Sequence, residues 1–146
     1  KYKFPEPKIE GLNFSFSGLK TAILYFVRDE KLKNNNFVED NLADICASIQ
    51  SRIVSILLNK LKKASLKFGI KEICIAGGVS ANSGLRNAFE EMGNEEGWNT
   101  FIPAFEYCTD NAAMIAITAY YKFLAGIFDD YSIVPSARRN IENWQD

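Results

Sequence analysis

An α/β fold is predicted by three features of the sequence. In the second half, strand-like and helix-like patterns alternate over residues 70–76, 82–92, 98–102 and 111–124. Such alternation implies right-handed crossovers and a parallel sheet with helices laid against it. An apolar series of helical period also runs unbroken through residues 42–64, long enough to cover a sheet. Finally, 47% of the 146 residues are hydrophobic and 24% are charged, a globular balance that excludes a disordered tail or a collagen-like repeat.

Residues 1–12, with two prolines and a glycine, read as an extended lead-in. Residues 13–17 (NFSFS) alternate polar and aromatic side chains with period two, which predicts a short strand with Phe14 and Phe16 on one face. A helix follows Gly18, with Leu19, Ile23, Phe26 and Val27 on its stripe. Asn34, Asn35 and Asn36 form a loop. Asn36, with Glu39 three residues on, has the pattern of a capping box. The long helix carries Leu42, Ile45, Cys46, Ile49, Ile53, Leu57, Leu61 and Ala64 inward, and Gly69 stops it. At 1.5 Å per residue it is roughly 45 Å long.

Residues 70–76 (IKEICIA) end on consecutive apolar positions, as strands buried on both faces do. Gly77 and Gly78 break the strand. The helix over 82–92 turns Leu85, Ala88, Phe89 and Met92 inward, and 93–97 is a turn. A strand over 98–102 ends at Pro103, and the apolar helix over 111–124 stops at Gly126. The tail from Phe128 is irregular and holds Arg138, Arg139 and Trp144.

Lys plus Arg is 17 and Asp plus Glu is 18, a net charge of −1. No global positive field draws nucleic acid to this chain, so any RNA contact is local or lies in other parts of the protein. There is no histidine, so this sequence alone holds neither a Ser-His-Asp nor a Cys-His machine. Cys46, Cys74 and Cys108 are odd in number and widely spaced, and read as reduced core thiols of a cytosolic protein. No signal-peptide pattern occurs. The longest uncharged apolar stretch, 112–121, is shorter than the roughly 18 residues a membrane span needs. A chain that starts at Lys1 rather than Met reads as a fragment of a longer protein.

Three segments could carry chemistry. In the run 73–82 (ICIAGGVSAN) a strand meets two glycines and a helix start. Gly77 and Gly78 let backbone N–H groups approach a ligand, and Asn82 offers a side-chain amide to a phosphate, ribose or base. The alternative is a plain strand-to-helix turn capped by Ser80 or Asn82. In the run 108–113 (CTDNAA), Asp110 either caps the following helix or is one ligand of a metal completed elsewhere. In 14–21 (FSFSGLKT), Ser17, Gly18 and Lys20 either meet an anion or simply start a capped helix. The aromatic group Tyr120, Tyr121 and Phe123 suits core and interface better than base stacking, and Arg138 with Arg139 suits a solvated tail.

Taken together, 14–22 (FSFSGLKTA), 76–82 (AGGVSAN) with Leu85-Arg86, and 108–111 (CTDN) with 113–116 (AMIA) resemble the tRNA N6-adenosine threonylcarbamoyltransferase family, formerly called glycoproteases or O-sialoglycoprotein endopeptidases. The resemblance covers nearly the whole chain but only the C-terminal portion of the family, less than half of it. It implies an RNase H-like lobe of the actin, sugar-kinase and Hsp70-like ATPase superfamily, whose two lobes enclose a nucleotide cleft. It further implies transfer of threonylcarbamoyl from threonylcarbamoyl-adenylate to N6 of adenosine 37 in tRNAs that read codons beginning with A. Asp110 is then a ligand of a divalent metal, iron or zinc, whose histidine ligands this chain lacks. Asn82, Gly77 and Gly78 then contact the adenylate. The implied partners are tRNA, the adenylate and other proteins of the threonylcarbamoyladenosine pathway, in the cytoplasm and with no membrane. A chain holding part of an active site is expected to be inactive alone, to hold no metal alone, and to self-associate, swap a segment, or cover its open sheet edges with its own lead-in. Two other readings remain open: a non-catalytic nucleotide-lobe interaction module, and a fragment of a sugar kinase-like or Hsp70-like ATPase.

Overall fold

The computed structural model describes residues 1–135, so Arg138, Arg139 and Trp144 lie outside the described residues. The chain divides into two units, residues 1–109 and 110–146, and each is described by itself.

The first unit is α/β. Its elements are helices α1 (Ser17–Lys33) and α2 (Phe37–Phe68), strand β1 (Glu72–Cys74), a 3-10 turn (Gly78–Ala81), helix α3 (Ser83–Glu96), strand β2 (Asn99–Phe101) and a second 3-10 turn (Phe105–Tyr107). β1 and β2 pair in parallel, Ile73 opposite Thr100, with α3 as the crossover between them. The sheet has two strands of three residues, shorter than the sequence predicts. Burial along β1 alternates, with only Ile73 inside, because helices cover one face of so small a sheet. The expectation of a strand buried on both faces is corrected accordingly.

α2 holds the unit together by packing on two sides. On one side Ile56 meets Leu19 of α1 and Phe4, with Ile49, Ile53, Ile23 and Phe26 around them. On the other, Leu58 joins Ile73, Leu85, Phe89 and Trp98. A single apolar stripe cannot serve two clusters, which explains why Ile56 and Leu58 are buried although they lie off the predicted series, while Leu42 within it is 55% exposed. Gly69 takes φ 67° and ends α2. Asn36 stands at the N-terminal boundary but makes no side-chain capping bond. The helix is distorted at Asn41, whose side chain donates to the Phe37 carbonyl at 2.9 Å. α2 is also long and apolar enough, by length and composition alone, to cross a membrane. Core helices pass the same test, and both sides of α2 are used for packing.

The lead-in has no helix or strand, as predicted, but it is anchored. Phe4 is buried, Tyr2 donates its N–H to Ser48 Oγ at 3.0 Å, and Lys60 Nζ donates to the Ile9 and Gly11 carbonyls at 2.8 Å. It lies along α1 and α2, not along a strand, so it does not cover a sheet edge. Residues 13–16 form no strand, which corrects that expectation. Phe14 and Phe16 instead stack on each other, 6.2 Å apart and exposed. The 93–97 turn is corrected too. α3 runs on to Glu96, and Gly93 is buried where a Cβ would collide with Thr100 Cγ2. Cys108 is a core thiol at 1% exposure, but Cys46 and Cys74 are exposed; all three are free.

In the second unit, helix α4 (Ala112–Leu124) ends as predicted: Gly126 takes φ 70° and the Ile127 N–H returns to the Lys122 carbonyl at 2.9 Å. No residue of α4 is buried. Tyr120, Tyr121 and Phe123 are more than half exposed, so their expected core role is corrected among the described residues.

Candidate functional site

β1 delivers its carboxyl end into Gly77. That residue takes φ 82° and ψ 175°, a region open essentially to glycine alone. The chain then closes one 3-10 turn, with Ser80 N–H donating to the Gly77 carbonyl at 2.9 Å and Ser80 Oγ donating to the same oxygen at 2.7 Å. Ser80 is thereby buried and spent on the turn. Both glycines are exposed, and a Cβ on either would find no atom within 4 Å. They form an open backbone surface at the strand's carboxyl end, where ligands bind in parallel α/β sheets.

Asn82, not Ser80, caps α3. Its Oδ1 accepts from the Leu85 N–H at 2.9 Å and its Nδ2 donates to Gln50 Oε1 at 3.0 Å. The cap fixes the amide's orientation: the oxygen faces the helix, and the N–H not used by Gln50 is the donor the side chain offers a ligand. Gln50, on α2, carries no signal in the sequence. It is a lone amide at the edge of an apolar stripe, and nothing but the fold brings it 32 residues along the chain to Asn82. Arg86 lies inside a recognised motif without an assigned role, yet it is the most connected side chain of the region. Nε donates to the Ser80 carbonyl at 2.6 Å, and Nη2 donates to the Pro103 carbonyl at 2.7 Å and to Cys108 Sγ at 3.1 Å.

The two glycines differ in what a methyl group would do to them. Gly77→Ala is expected to cost about 1–3 kcal/mol, because the added Cβ meets a forbidden backbone conformation although the space is free. Gly78→Ala is expected to leave the melting temperature near wild type, since neither φ nor space opposes it. Thermal melts of the two variants check this, and equal losses would contradict it.

Asp110 opens the second unit. It does not cap α4: Asn111 does, with φ −151° and Oδ1 accepting from the Met114 N–H at 3.1 Å. The capping alternative for Asp110 is therefore overturned by a shift of one position. Among the described residues the exposed Asp110 carboxylate makes no hydrogen bond or ion pair, and no group of three His, Cys, Asp or Glu residues stands ready to hold a metal. The structure thus brings Gly77, Gly78 and Asn82 together around the end of β1, and leaves Asp110 as an uncommitted carboxylate in the other unit. At the start of α1 the N-cap position is Phe16, with no side-chain cap, and Thr21 Oγ1 donates back to the Ser17 carbonyl at 3.1 Å. The capped start expected there is not formed.

An α/β unit with a glycine turn and a helix N-terminus at the carboxyl end of a parallel strand has the layout of a ligand-binding α/β domain. The family model for tRNA N6-adenosine threonylcarbamoyltransferase (TsaD) matches residues 1–117. Proteins bearing that name are 56% identical over 137 residues in Christiangramia forsetii and 53% identical over 137 residues in Riemerella anatipestifer. Each of these matches covers 94% of this chain and 40% of the relative. A third, from Caldicellulosiruptor saccharolyticus, is 44% identical over 90% of this chain and 38% of the relative. The chain belongs to the tRNA N6-adenosine threonylcarbamoyltransferase family, and spans about two fifths of the length of the curated relatives it matches.

Proposed function

We propose that this chain is the C-terminal lobe of a two-lobe enzyme, an RNase H-like lobe of the actin, sugar-kinase and Hsp70-like superfamily. The enzyme moves threonylcarbamoyl from threonylcarbamoyl-adenylate to N6 of adenosine 37 in tRNAs reading codons that begin with A. It works in the cytoplasm with other proteins of that pathway, away from membranes, and the 146 residues alone are inactive. The observation that carries the reading is the division of labour ahead of α4. Asn111 satisfies the helix, so nothing local needs the charge on Asp110.

In this reading Gly77 and Gly78 bring backbone N–H groups against the adenylate. The N-terminus of α3 adds positive potential toward its phosphate. Asn82 Nδ2, held by Gln50, donates one directed hydrogen bond. Asp110 supplies one anionic oxygen ligand to a divalent metal, iron or zinc. A free carboxylate fits that task, and with no histidine in the chain the remaining ligands come from outside these residues. When bound, the metal serves as a Lewis acid toward the acyl carbonyl. Positioning of adenylate and tRNA adenosine against each other accounts for much of the rest of the rate.

The test uses the full-length protein with metal, threonylcarbamoyl-adenylate and tRNA. Mass spectrometry of the nucleosides is expected to find threonylcarbamoyladenosine at position 37 of the matching tRNAs. Unmodified adenosine there under all metal conditions would overturn the reading.

For the isolated chain we propose self-association. An apolar hollow of about 590 Å³ lies open between α1, α2 and the end of β1, lined by Leu19, Ile23, Ile53, Leu57, Ile75 and Val79, and among the described residues neither outer edge of the two-stranded sheet is paired. Sedimentation equilibrium is expected to show dimers or larger species, and a sharp monomer at all concentrations would count against it.

A further inference from the structure

Arg86 follows the buried Leu85 on α3 and is itself half-buried. Among the described residues its donors reach no carboxylate. They end on the Ser80 carbonyl, the Pro103 carbonyl and Cys108 Sγ, and the guanidinium lies over the Phe105 ring, 4.0 Å from its centre. Two of the three acceptors are backbone oxygens, and two belong to buried residues: Ser80 and Cys108 are each 1% exposed. One planar fork therefore joins the turn that follows β1 to the segment 103–108 that follows β2. The strands join these regions as far as the bond from the Ile75 N–H to the Phe101 carbonyl, at 3.1 Å. Beyond that point, among the described residues, the Arg86 fork spans them. With no anionic partner among the described residues, the guanidinium contributes geometry through its planar fork.

We propose that Arg86 is a positioning residue for the transfer reaction. Through Ser80 it fixes the turn carrying Gly77, Gly78 and Asn82, and through Pro103 and Cys108 it ties that turn to the segment after β2. Adenylate binding then depends on one side chain that does not itself touch the ligand. The inference rests on the function proposed above and adds to it a residue that acts through its neighbours. Lysine is not equivalent: a compact ammonium lacks the planar fork that reaches the Ser80 and Pro103 carbonyls and Cys108 Sγ at once, and it cannot lie flat on Phe105.

The experiment uses the full-length protein with Arg86→Lys and Arg86→Ala, beside Asp110→Asn and Asn82→Asp. Three quantities are read: melting temperature, metal retained after dialysis against a chelator, and adenylate affinity by calorimetry. Arg86→Lys is expected to melt near wild type yet to weaken adenylate binding by roughly 10-fold or more, the loss expected when a donor to an anion is displaced. Wild-type affinity in Arg86→Lys, or a lowered melting temperature with affinity unchanged, overturns the inference. If Arg86→Ala fails to fold, the lysine variant decides. Should Asp110→Asn keep its metal and Asn82→Asp its adenylate, the proposed function itself fails. Should those two lose their ligands while Arg86→Lys keeps its adenylate affinity, only the role of Arg86 fails.

Discussion

Asn82→Asp in the full-length protein is expected to fold as wild type does and to lose most of its affinity for the adenylate. Asn and Asp cap helices about equally well. A carboxylate at the N-terminus of α3 is, if anything, favoured by the helix dipole. The Leu85 N–H therefore keeps its acceptor. Gln50 can turn its own amide to offer N–H groups to the new carboxylate, so the contact with α2 survives. What disappears is the N–H that Asn82 presents outward, and a negative charge takes its place where the proposed site receives an anionic phosphate. A hydrogen bond to a charged group contributes roughly 1.5–3 kcal/mol, or about 10- to 100-fold in affinity, before repulsion is added. Asn82→Ala separates the two duties, because it removes the cap as well and should cost about 0.5–2 kcal/mol of stability. Thermal melts and calorimetric titration check the pair. An Asn82→Asp protein that binds the adenylate as tightly as wild type removes Asn82 from the site.

The elements legible in the sequence are those whose signals are local. α2 and its stop at Gly69, α3 with Leu85 and Phe89 inward, and α4 with Gly126 all follow from helical spacing and a terminal glycine, and the structure has each of them. The Asn82 turn was legible for the same reason. The losses have a common cause in partners distant along the chain. Phe14 and Phe16 alternate as a strand would, but a strand exists only with a neighbour to bond, and among the described residues none lies beside them. Gly93 reads as a breaker until β2 is seen to need its missing side chain: Thr100 occupies the space where a Cβ would go. The second buried side of α2, at Ile56 and Leu58, answers to Phe4 in one direction and Trp98 in the other, and no periodicity within α2 announces either. Gln50 and Arg86 belong to the same class. Each has meaning only through residues brought to it by the fold, whereas Gly77, Gly78 and Asn82 stand within six positions of one another.

The start of α4 offers the sharper separation, because two adjacent residues divide tasks that sequence patterns assign to either. Asn111→Ala removes the acceptor of the Met114 N–H and should cost about 0.5–2 kcal/mol of stability. It leaves the Asp110 carboxylate in place, so the full-length protein should retain its metal. Asp110→Asn should do the reverse. The cap is untouched, and the side chain lost its only local use when Asn111 took over the helix, so the apo protein should melt near wild type. Yet an amide is a poor substitute for an anionic ligand. Metal content after purification should fall well below one per chain, and modification of adenosine 37 should fail. Elemental analysis, thermal melts of the apo proteins and nucleoside mass spectrometry read the two variants side by side. If Asp110→Asn lowers the melting temperature of the apo protein as Asn111→Ala does, the carboxylate is structural after all. If it melts normally and still carries a full complement of metal, Asp110 is no ligand, and the metal is held entirely by residues outside this chain.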